Sequence, residues 1–172
     1  IPAWDISPYD NSSPNKVLNG QRIGTLSRLV NNNFLDNELV ILTTFNSIFI
    51  KTAPFQFYKN LFIQIRISQT ISISNLRDKL TQMGYTKVST VRENNEFAVR
   101  GDIIDIFNTG QEKPIRIYLN SDKIEKILFF DALTQRNNTK LKIVNEFLIY
   151  PASEILLSKE NIEVFKKKYS SY

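Results

Sequence analysis

Three arginines are the side chains in this sequence best suited to specific chemistry, and that chemistry is recognition. Arg92, Arg100 and Arg116 fall at or near the ends of strand-like segments, with Phe97 and Tyr118 close to the last two. A guanidinium presents a planar fork of donors that pairs bidentately with carboxylates, and aromatic rings bury large areas. Both residue types are enriched where proteins bind proteins. An exposed arginine on a strand is nevertheless more often a solvated or rim residue, so placement alone assigns no role. The acids offer less. Asp102 and Asp105 flank Ile103-Ile104, and a spacing of three on a strand puts them on opposite faces. They are read as surface or turn residues, not as an acid/base pair.

Catalysis is constrained mainly by what is missing. The chain has no cysteine and no histidine. That removes disulfides, a thiolate nucleophile, zinc-cysteine sites and the commonest general base. None of the five glycines is followed by lysine, so a phosphate-cradling loop is absent from this stretch. Gly20 and Gly24 lie inside a predicted helix and make no nucleotide fingerprint. No group of acids has metal-ligand spacing, and neither a catalytic nor a metal-binding residue is expected.

The elements that must position the arginines follow from periodicity and turn chemistry. Ser13 as N-cap and Pro14 at the first helical position start a helix running to about Val30. Residues 38–43 (ELVILT) read as a strand buried on both faces, and Thr43 or Thr44 caps a short helix through Phe49. After residues 51–54 the pattern changes. A strand at 61–67 precedes a helix capped by Ser72 or Ser74, with Leu76, Leu80 and Met83 on one face and Gly84 at its end. Short strands follow at 87–91, 96–100, 103–107, 115–119 and 123–130, separated by turn residues. A strand at 141–150 leads out, and a helix from Ser158 ends on Lys166, Lys167 and Lys168, which suits the helix dipole.

With 172 residues, a hydrophobic fraction of 42% and a charged fraction of 23%, the chain suits one sizeable core or two small ones. A net charge of +5 permits an acidic partner without demanding one. The longest apolar runs fall far short of the ~20 residues that span a bilayer. The chain starts at Ile1 without a signal-peptide pattern, and is expected to be a soluble, intracellular piece of a longer protein.

One run is more specific. Residues 97–107, FAVRGDIIDIF, resemble a segment of the UvrB-like module found in bacterial transcription-repair coupling factors (Mfd) and, in related form, in UvrB. Further matches run in order: Pro2-Ala3-Trp4-Asp5, Ser7-Pro8-Tyr9-Asp10, Gln21-Arg22, Thr43-Thr44, Met83-Gly84-Tyr85, Thr90-Val91-Arg92-Glu93, Pro114-Ile115-Arg116, Asp122-Lys123-Ile124-Glu125, Phe130-Asp131, Thr134-Gln135-Arg136 and Pro151-Ala152-Ser153-Glu154. UvrB carries a long aromatic hairpin after its equivalent of Tyr9-Asp10. Here Pro14 opens a helix almost at once, which favours the coupling-factor family.

The resemblance implies an α/β plus α+β architecture. A remnant of a degenerate helicase-like α/β domain (residues 1–54 and 141–172) would carry an inserted α+β module (residues 55–140), one helix on a mainly antiparallel sheet. It implies an adaptor that binds UvrA, recruiting nucleotide excision repair to stalled RNA polymerase, without catalysis in this stretch. ATP and magnesium would belong to motor domains elsewhere in the longer protein. RNA polymerase and DNA would likewise be bound elsewhere, and a C-terminal domain would mask the UvrA-binding surface. The setting would be cytoplasmic, and the piece is expected to be monomeric. By motif alignment the family's two UvrA-binding arginines fall on Arg100 and Arg116, and its aromatic falls on Asn120. Tyr118 or Leu119 would have to supply the missing apolar anchor, and Arg92 is a further candidate. The alternatives are a fragment of UvrB or another helicase-like ATPase, and a DNA-binding module.

Overall fold

In a computed structural model, residues 1–5, 15–31, 40–137, 144–154, 162–163 and 166–168 are described. The first helix is α1 (Lys16–Asn31), and Asn15 stands before it with its side chain accepting from the Val17 amide at 2.8 Å. The predicted caps Ser13 and Pro14 lie outside the described residues. Two short helices follow, α2 (Phe45–Phe49) and α3 (Phe55–Asn60). Thr44 caps α2, accepting from the Ser47 amide at 3.3 Å, and Pro54 precedes α3. The pattern did not signal α3.

The buried strand expected at 38–43 does not appear in its described part: residues 40–43 are not in a strand, and Val40 and Leu42 are 79% and 80% exposed, while Glu38 and Leu39 lie outside the described residues. An all-apolar run becomes a strand only where neighbouring strands accept its ladder. Among the described residues none pairs with it.

The rest of the chain follows the α+β expectation closely. Strand β1 (Ile63–Arg66) leads to α4 (Ile73–Gln82), where Ser72 accepts from the Asn75 amide at 3.4 Å. At its other end Gly84 takes φ +90° and the Tyr85 amide donates back to the Leu80 carbonyl at 3.0 Å. Then come β2 (Thr86–Lys87), β3 (Glu96–Arg100), β4 (Ile103–Ile106), β5 (Ile115–Asn120), β6 (Lys123–Phe129) and β7 (Glu146–Ile149). Strands β2 to β6 form one sheet in sequence order, antiparallel except for the parallel β2–β3 pair. The strand expected at 87–91 shrinks to two residues because the chain bends at Ser89-Thr90, which lets Val91 bury against the far side of the sheet. Strand β7 pairs antiparallel with β1 in a separate two-stranded ribbon. In the tail, residues 162–163 and 166–168 are helical. Among the described residues no helix is long and apolar enough to cross a membrane.

Strand alternation sorts the sheet into two faces. Phe97, Ile104, Ile106, Ile115, Ile117, Leu119 and Ile127 point inward, and pack with Leu76, Leu80 and Met83 of α4 and its flank and with Ile65 and Ile149 of the ribbon. The opposite face is only partly covered. Val91, Ala98, Phe107 and Phe130 form a small second cluster at one end of it, roofed by the loops at 88–92 and 130–137.

Candidate interaction face

Arg100, Arg116, Tyr118 and Asn120 all belong to the outer face of the sheet. On β5 the inward set is Ile115, Ile117 and Leu119, so Arg116, Tyr118 and Asn120 line the other side. The irregularity between Tyr118 and Leu119 places the extra residue on β6, since Tyr118 faces Lys126 and Leu119 faces Ile124. The alternation on β5 therefore survives. Gly101 takes φ +57°, as the first position of a two-residue hairpin turn requires, and the turn sets Arg100 opposite Ile103. The next strand sets Ile103 opposite Tyr118 and Asp105 opposite Arg116.

That register corrects the reading of Asp105. Asp102 sits exposed in the turn, but Asp105 is fully buried on the outer face, beneath both arginines. Arg116 grips it with a two-bond fork, Nε donating to Oδ1 at 2.7 Å and Nη2 to Oδ2 at 2.9 Å. Arg100 donates from Nη2 to the same Oδ2. A spacing rule applied across a strand does not reveal this, because the partner is set by strand register.

Arg116 is committed elsewhere as well. Its Nη1 donates to the Gln135 carbonyl at 3.1 Å and to Asn137 Oδ1 at 3.4 Å, and its guanidinium lies 4.4 Å from the centre of the Phe130 ring. The hydrogen bonds to Asp105 raise its pKa further. The side chain is only 11% exposed, against 47% for Arg100. Arg116 is thus largely engaged within the protein, and Arg100 is the more exposed of the two arginines.

The other predicted positions separate in the same way. Leu119 belongs to the core and cannot supply an anchor on this face. Tyr118 is half-buried there, and its hydroxyl accepts from Asn137 Nδ2 at 2.8 Å. Asn120 is exposed at the strand end, beside a depression of about 240 Å³ that it lines with Ile67, Ser68, Lys123, Ile124 and Glu125. Arg92 is exposed on the loop after Val91, outside the network centred on Asp105.

Residues from a few of the other sequence motifs, Pro2, Trp4, Arg22, Tyr85 and Glu154, take part in two buried polar clusters. In one, Arg22 donates to Glu154 Oε1 at 2.9 Å, Ser47 Oγ at 2.9 Å and the Pro2 carbonyl at 3.2 Å, with its guanidinium 5.9 Å from the Trp4 ring. Burial raises the pKa of Glu154, opposed by Arg22, and burial likewise raises that of Tyr58 beside it. In the other, the buried Tyr85 hydroxyl lies 2.8 Å from Asn108 Oδ1 and 2.6 Å from the Tyr150 carbonyl, while Asn108 Nδ2 donates to the Leu148 carbonyl at 2.8 Å. Burial raises the phenol's pKa strongly. Both clusters bind segments distant in the sequence together. Among the described residues no group of acids could hold a metal ion.

The family described as "UvrB interaction domain" matches residues 63–155, from the start of β1 past Glu154. Similar proteins include the transcription-repair-coupling factors of Rickettsia conorii (35% identical over 98% of this chain), Escherichia coli (29% over 96%) and Staphylococcus haemolyticus (31% over 94%). The chain spans only 15%, 14% and 13% of those proteins' lengths. A match covering more than half of the residues, joined to coupling-factor relatives along nearly the whole sequence, means that the chain belongs to the UvrB interaction domain family.

Proposed function

We propose that the chain is the UvrA-binding adaptor of a transcription-repair coupling factor, and that the outer face around Arg100 is its docking surface. The observation that carries this reading is the half-exposed guanidinium of Arg100 on a sheet face that α4 does not cover, with Ile103 and Tyr118 half-buried beside it. A cation rimmed by partly apolar side chains suits a carboxylate of a protein partner, because a desolvated rim strengthens a charge-assisted hydrogen bond. Arg116 supports the face from beneath, and Asn120 and Tyr118 extend it along β5. In the longer protein this adaptor would bring excision repair to stalled RNA polymerase in the cytoplasm. The polymerase contact, DNA contact and ATP-driven motor would lie in other segments, and residues 1–54 and 141–172 would belong to the helicase-like remnant that carries the module.

Arg100→Ala in the 172-residue chain tests the reading, because that side chain is half-exposed and Asp105 keeps its two bonds from Arg116 without it. Titration against UvrA should show binding weakened by about thirtyfold or more, the scale of an interface hot spot. Unchanged affinity with intact circular dichroism would sink the proposal.

A further inference from the structure

A buried carboxylate lies at the centre of a surface that is read as receiving acidic groups. Asp105 is fully buried and both of its oxygens accept from Arg116, while Oδ2 also accepts from Arg100. Arg116 has its remaining terminal nitrogen directed to Gln135 and Asn137, and Phe130 covers one face of its guanidinium. It therefore fixes Asp105 and has little surface left for a partner. Two cations share one anion, so one positive charge remains, and it is displayed by Arg100.

We propose that Asp105 is a positioning residue for partner binding: clamped by Arg116, it holds the Arg100 guanidinium over the outer face in the orientation that receives a carboxylate of the partner. The inference rests on the reading of this face as the docking surface. Its physical basis is preorganisation. A long flexible side chain must give up rotamer freedom when it binds, and one already anchored has lost that freedom on folding. One Arg100 nitrogen donates to Asp105, leaving the fork of a planar, five-donor group to be shared between anchor and partner. Arg116 then contributes to binding through Asp105 and not by contact.

The sign of one substitution tests this. If charge alone governed binding, Asp105→Asn would remove a negative charge beside the acceptor site and tighten binding to an acidic partner. If Asp105 positions Arg100, the same substitution loosens it. UvrA is titrated with the wild-type chain, Arg100→Ala, Asp105→Asn and the double variant. The expected result is a loss of about tenfold for Asp105→Asn, with the double variant no weaker than Arg100→Ala. Equal or tighter binding by folded Asp105→Asn, with Arg100→Ala still impaired, overturns the positioning role and leaves the docking face standing. No effect of Arg100→Ala removes the face itself and this inference with it. Should Asp105→Asn fail to fold, Arg100→Lys decides. The lysine keeps the charge but cannot serve anchor and partner together, so a loss close to that of Arg100→Ala is expected, and near-wild-type affinity overturns the proposal.

Discussion

Asn120 stands where the resemblance places an aromatic side chain, and the structure leaves it exposed beside a shallow depression. Asn120→Phe is therefore expected to strengthen UvrA binding by about tenfold, since a ring there adds apolar contact without disturbing the core. Isothermal titration checks it, and no gain would mean that the partner does not reach this end of β5. Tyr118, two residues back on the same face, is the aromatic already available; Leu119 is not, because it faces α4. Arg100 and Arg116 could be picked out of the sequence as a pair through motif order, but their different burial could not. Separating the buried arginine from the exposed one needs the register that places Asp105 opposite Arg116, and register is set by turns and by which face is buried.

The loop at 130–137 is the element that roofs Arg116. Asp131 organises it, its Oδ1 accepting from the Leu133 amide at 3.1 Å, the Thr134 amide at 2.7 Å and Thr134 Oγ1 at 2.9 Å. The Thr134 amide and hydroxyl lower this carboxyl's pKa below its ordinary 3.8. A depressed carboxyl stabilises the fold above its unfolded value and ceases to do so as pH falls through the folded one. The loop should accordingly stay docked at neutral pH and loosen below 3.8, which would show as faster exchange of the Thr134 amide before global unfolding. Pattern reading was most successful for elements with their own caps and turns, such as α4 with Ser72 and Gly84, or the β5–β6 turn, where Ser121 and Asp122 both take positive φ. It failed at residues 40–43, where an apolar run carries no information about whether a neighbouring strand exists to pair with it.

At the scale of the whole molecule, two glycines of α1 bring its backbone close to the backbone at Thr109-Gly110. A Cβ built on Gly20 would lie 3.2 Å from the Gly110 nitrogen, and one on Gly24 would lie 3.2 Å from the Thr109 carbonyl oxygen. Gly110 itself takes φ +67°, and a Cβ there would come within 2.6 Å of the Gly20 carbonyl oxygen. The two helical glycines that the sequence left without a nucleotide role thus permit a close approach. Gly110→Ala should destabilise the chain by about 1–3 kcal/mol, seen as a lower urea midpoint, while UvrA affinity of the folded fraction holds. On the far side, Ile63 of β1 lies directly opposite Ile149 of β7. The polypeptide thus enters and leaves the sheet module through adjacent strands, separated by about 5 Å. A cassette with its two ends side by side can be spliced into a host, or kept while the host decays, without stretching whatever surrounds it.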